Sequence, residues 1–107
     1  MLKARLEDFY GGWFLGNFTP SMLPTGDFEI GVKRFSEGDT EPLHYQQIAV
    51  EFTIVVSGRI SLGGVEVGPN EILRIDPGER ADFLAIEDSV VVAIKTPSIP
   101  NDKFVVE

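Results

Sequence analysis

Between Asp27 and Thr96 the chain alternates apolar and polar residues with a period of two, and a turn signal interrupts the alternation about every eight to twelve residues. A period of two builds strands, and short strands at this spacing close into a sandwich or a barrel. No stretch is left for a long helix. "DFEIGVKRF" sets Phe28, Ile30 and Val32 against Glu29, Gly31 and Lys33, which predicts a strand with the apolar set buried. In "IAVEFTIVVSG", Ile48, Val50, Phe52, Ile54 and Val56 share one face, and Ala49, Glu51, Thr53 and Val55 share the other. Both of those faces are largely apolar, so both are expected to be covered. "RISLGGVEV" predicts two short strands joined at Gly63-Gly64, because a two-residue hairpin loop needs positive φ. "GPN", "PGE" and "ED" then turn the chain into "EILRID", "RADFLAIE" and "SVVVAIKT".

The two ends are less regular. Leu2, Leu6 and Phe9 at i, i+4 and i+7 before Gly11-Gly12 allow one short helix over residues 2–10. Trp13, Phe14 and Phe18 suit a strand that closes the barrel or a segment that faces a partner. After Pro97 and Pro100 the tail is extended, and "KFVVE" can add an edge strand. With 107 residues, the whole chain is expected to form one domain around one core.

Composition narrows the function. The chain has no cysteine, which excludes disulfides, thiolate metal sites and thiol nucleophiles. Its net charge of -8 repels phosphate backbones and anionic lipid, so neither nucleic acid nor membrane is expected as a partner. "MLKARLEDFYGGW" lacks the apolar run of a signal peptide, and no segment is apolar enough for a membrane span, so the chain reads as soluble and cytoplasmic. No Gly-x-Ser-x-Gly elbow supports a hydrolase, and "GGVEVG" lacks the strand-loop-helix setting of a phosphate loop.

The polar residues with chemical potential sit in "HYQQIAVE". His44 and Gln46 are two apart and face the same side of an extended segment. Glu51 has the opposite parity to His44 and joins them only if a turn or bulge intervenes near Gln47 or Ile48. Among Thr53 and Val55, an ionised Glu51 is costly unless it is paired or bound to a cation.

The spacing Gly38-x5-His44-x-Gln46-x4-Glu51-x6-Gly58 resembles the first motif of the cupins, which there reads Gly-x5-His-x-His-x3-4-Glu-x6-Gly. Four of its five fixed positions are present, and Gln46 replaces the second histidine. The second cupin motif aligns with Asn70, Asp76, Gly78, Ala81 and Ala85, where Gly78 is the strict match and Ala81 replaces the third metal-binding histidine. The resemblance spans about residues 25–96 and implies a small all-β jelly-roll barrel. It also implies a divalent metal held by His44, Gln46 and Glu51, with two of the family's four ligands exchanged.

Three readings of this site follow. A weakly bound divalent metal could use His44, Gln46 and Glu51. His44 could instead be a structural imidazole bonded to Glu51 or to a backbone carbonyl. In the third reading, His44, Gln46 and Glu51 form a polar patch that holds a small molecule without a metal, with Phe83 and Trp13 or Phe14 as apolar wall. His44 and Glu51 are the candidate acid-base pair if the barrel is an isomerase or epimerase. A metal-dependent oxygenase and a structural module without a ligand are the remaining alternatives. If Ala81, Phe83 and Ala85 face inward, then Leu84, Ile86 and the outer side of "VVVAI" are left apolar outside, which predicts a homodimer packed sheet against sheet.

Overall fold

The computed structural model describes residues 1–107 and contains ten strands. These are β1 (Trp13–Leu15), β2 (Glu29–Phe35), β3 (Thr40–Gln46), β4 (Val50–Ser57), β5 (Ile60–Leu62), β6 (Val65–Val67), β7 (Ile72–Ile75), β8 (Ala81–Ala85), β9 (Ser89–Thr96) and β10 (Lys103–Val105). They form two five-stranded antiparallel sheets, β1-β2-β9-β4-β7 and β10-β3-β8-β5-β6. The Gly63-Gly64 turn joins β5 to β6, and the "KFV" segment adds the edge strand β10 beside β3.

The two sheets face each other across a single core. Val55, Ile75 and Val91 from the first sheet meet Ile60, Leu62, Val67, Ala81, Phe83 and Ala85 from the second, with Phe35 and Leu73 packed at the margin. The period of two produces this arrangement directly, since β8 alternates buried Ala81, Phe83 and Ala85 with exposed Asp82 and Leu84.

Two expectations change. In β2 the inward set is Glu29, Gly31, Lys33 and Phe35, not the apolar Phe28, Ile30 and Val32. Lys33 pairs with Val91 and Gly31 with Ala93, which fixes their direction, because residues paired across a sheet share a face and both partners are buried inside the barrel. In β4 the odd-numbered face is likewise the buried one, while Val50, Phe52 and Ile54 lie half-buried outside. The first sheet therefore carries an apolar outer face of Ile30, Val32, Phe52, Ile54, Val92 and Ile94. The N-terminal helix also differs: residues 2–10 hold no α-helix, and two three-residue 3-10 turns cover Leu6–Asp8 and Tyr10–Gly12. Leu2 is 81 % exposed, so nothing packs on this segment to offset the cost of helix nucleation.

Candidate functional site

Along the strands the interior passes from apolar to charged. Inward positions run from Val55 through Thr53 to Glu51 on β4, from Val91 through Ala93 to Lys95 on β9, and from Phe35 through Lys33 to Glu29 on β2. Glu29 and Glu51 both lie opposite Lys95, one on each side, so three charges of alternating sign form one row across three strands. Opposite charges placed directly across a sheet are favourable.

The second sheet supplies the facing wall through a local irregularity. Glu41 pairs with Phe83 and His44 with Ala81, three residues against two, so the chain bulges at Pro42-Leu43. The bulge turns both Glu41 and His44 inward although their parities differ. A bend at Gln47-Ile48 then carries the chain from one sheet into the other, which reverses parity again and brings Glu51 in from the opposite wall. Asp102 holds this bend: its carboxylate accepts the backbone N–H groups of Gln47 (3.1 Å), Ile48 (3.1 Å) and Ala49 (2.9 Å).

The result is a cavity of about 150 Å³ at the polar end of the barrel. His44, Glu51 and Phe83 all line it. Trp13 forms part of its wall, and Phe14, at the opposite parity, does not line it. The Trp13 ring lies on Gly31, where an added Cβ would come within 2.8 Å of the indole, so the glycine makes room for it. Lys33 and Lys95 approach the same indole at 5.7 and 5.2 Å from its centroid, within cation-π range. Phe83 meets Phe35 with ring centroids 4.3 Å apart, where the cavity gives way to the core.

Gln46, although it belongs to the same strand, lines a neighbouring compartment of about 320 Å³ built largely from the loops after β1 and β9. Glu29, Lys95 and Lys103 border both spaces, so the two adjoin. Gln46 is 3 % exposed, and its Nε2 is buried without a hydrogen-bond partner.

His44 Nδ1 lies 2.9 Å from the Pro42 carbonyl oxygen. A carbonyl only accepts, so in the neutral ring Nδ1 carries the hydrogen and Nε2 keeps its lone pair. Glu41 lies between two lysines, 3.7 Å from Lys33 Nζ and 4.0 Å from Lys103 Nζ. Glu29 accepts from Ser98 Oγ at 2.9 Å. Glu51 is 8 % exposed, and Lys95 is the cation beside it in the sheet.

Sequence reasoning did not anticipate Glu29, Lys33, Glu41 or Lys95 as inward-facing residues, nor the exposed Lys103 at the cavity rim, nor Asp102 as the clamp on the bend. Lysine and glutamate are seldom buried, so their default reading is solvent-facing. One signal was present: Gly31 between Glu29 and Lys33 marks a close approach on that face of the strand.

A cupin metal does not fit this residue set. Of the four family ligand positions, His44 and Glu51 alone keep strong donors, no group of three His, Cys, Asp or Glu residues converges, and Ala81 stands directly opposite His44 with no donor atom. Gln46 offers a neutral amide, a weak ligand for late transition metals. Lys95 is paired with Glu51 in the sheet register but makes no ion pair with it.

Comparison with solved structures identifies the architecture. An uncharacterised conserved protein with a double-stranded beta-helix domain from Klebsiella pneumoniae superposes with a TM-score of 0.71 at 16 % identity, covering 98 % of this chain and 91 % of that one. A sugar phosphate isomerase of the cupin superfamily from Silicibacter pomeroyi gives 0.64 at 18 % identity, covering 76 % of this chain and 57 % of that one. This chain has the cupin fold. KdgF from a Halomonas species is similar as well, with a TM-score of 0.65 at 21 % identity over 72 % of this chain and 74 % of that one. No family model matches this cupin-fold chain, and no curated protein does. No helix is long and apolar enough to cross a membrane.

Proposed function

We propose that this cupin-fold barrel binds a small polar molecule in its interior and that its own charged side chains replace the metal centre. The observation that carries this reading is where the lysines lie. The chain has four, and Lys33, Lys95 and Lys103 all border one cavity together with His44, Glu41 and Glu51. Partly desolvated charges are costly in a barrel that only needs to be packed, and a ligand with matching groups offsets that cost.

A second reading is catalytic. His44 is held through Nδ1 with Nε2 free to take or give a proton, and Glu51 borders the same cavity, a pairing suited to proton transfer in an isomerase or epimerase. A structurally similar protein is a sugar phosphate isomerase, which makes that chemistry compatible with the fold.

A thermal-shift screen of polar metabolites against metal-free protein tests the binding reading. At a hundredfold excess over Kd, a true ligand adds about 2.7 kcal/mol of stability. The gain should rise with the logarithm of ligand concentration above Kd, and Glu51→Gln should reduce it. A screen without a stabilising compound would support a structural module instead, and hits indifferent to Glu51→Gln would place binding outside this cavity.

A further inference from the structure

The interior-ligand reading leaves open which kind of group the protein takes hold of, and the Gln46 compartment answers that. We propose that Gln46, Lys95 and Lys103 form a subsite for an oxyanion, the carboxylate or phosphate of the bound molecule; this rests on the interior-ligand reading. Two independent observations meet there. Gln46 Nε2 is a buried donor without a partner, and a buried donor that has given up water without replacing it calls for an acceptor. Lys95, bordering the same compartment, has a ring face as its near neighbour: its ammonium lies 5.2 Å from the Trp13 centroid, while the ion pairs of the cavity join Lys33 and Lys103 to Glu41.

The acids that border the compartment are already engaged. Asp102 accepts three backbone N–H groups, and Glu29 accepts from Ser98 Oγ. The groups left to meet a ligand are therefore the Gln46 amide donor and the Lys95 ammonium, joined by Lys103, whose contact with Glu41 is long at 4.0 Å, a set that suits an oxyanion and not a cation. The location is informative because the protein as a whole is acidic: with a net charge of -8, its exterior repels anions, so an anion is held only where the fold gathers lysines.

The test is titration of the full chain, followed by the Gln46 side-chain amide signals in nitrogen-proton correlation spectra and by the fluorescence of Trp13, the single tryptophan. The probes are malonate and inorganic phosphate, with glycerol and tetramethylammonium chloride at matched ionic strength as controls. Malonate or phosphate should shift the Gln46 amide signals saturably, the stronger of the two showing whether carboxylate or phosphate is preferred, and the controls should not. Lys95→Met should weaken the response about tenfold, the effect expected for losing one charge-assisted contact. Gln46→Leu should lower anion affinity, read by Trp13 fluorescence, while leaving the thermal midpoint unchanged or raised, because it removes an unsatisfied donor. Lys3→Met, far along the chain at the exposed N-terminus, should change nothing. Equal responses to anions and controls, no saturable shift with either anion, or an unaltered response in Lys95→Met would overturn the subsite. If a neutral or cationic metabolite still stabilised the protein through Glu51, the interior-ligand reading would stand and the oxyanion subsite alone would fall.

Discussion

Asp102→Ala should destabilise the protein by about 3 to 5 kcal/mol, a large share of the roughly 5 to 15 kcal/mol available to a domain of this size. Its carboxylate is buried and accepts three consecutive N–H groups at the bend between β3 and β4, and the Ala49 N–H is itself buried. Removing the carboxylate leaves the buried Ala49 N–H without its acceptor and unties the exposed Gln47 and Ile48 from the bend. The bend also converts the parity of His44 and Gln46 into that of Glu51, so loosening it should weaken ligand binding as well as stability. Asp102→Asn keeps one acceptor oxygen and should lose about half as much. Chemical denaturation of the three proteins measures the difference. A loss under about 1 kcal/mol for Asp102→Ala would mean that the bend stands without its clamp.

Gly58→Ala should cost about 3 kcal/mol or more through backbone geometry alone. Gly58 has φ of +86°, and a Cβ there would come within 2.2 Å of the Asp88 carbonyl oxygen and 2.7 Å of the Ser89 Cα. A left-handed backbone costs a non-glycine residue about 1 to 2 kcal/mol, and forcing apart two backbone segments adds to that. The displaced segment includes Ser89, whose hydroxyl accepts from Arg59 N–H and donates to the Glu87 carbonyl, so the turn between β4 and β5 should loosen with it. Gly38→Ala is the control: φ is +88°, but nothing lies within 4 Å of the added Cβ, so it should cost only the backbone part, about 1 to 2 kcal/mol. Equal losses for the two substitutions would show that crowding at Gly58 contributes nothing.

Much of the fold was legible because it depends on local rules. Alternation located the strands, turn residues located the breaks, and the spacing from Gly38 to Gly58 pointed to the cupin fold that structural comparison shows. The inner face of β2 was not legible. Ile30 and Val32 look like core, yet they lie on the outer face, and Glu29 and Lys33 point in. Hydrophobic alternation assigns the apolar face inward, and it fails where the interior is a polar cavity and the sheet's exterior is also apolar. The bulge at Pro42-Leu43 was equally hidden, since it depends on how Glu41 and His44 register against β8. Lys95 and Asp102 acquire their places only through partners distant in the chain, the Trp13 ring in one case and the backbone of Gln47–Ala49 in the other.

On the proposed function, side-chain charge stands in for a metal at the heart of a ligand site. The direct test is calorimetric titration of a stabilising metabolite into protein purified without chelator or affinity metal, repeated after chelation, with elemental analysis of the same sample. Metal well below one equivalent and the same affinity before and after chelation are the predicted results. Stoichiometric iron, manganese, nickel or zinc, with ligand binding lost on chelation and restored by that metal, would contradict it.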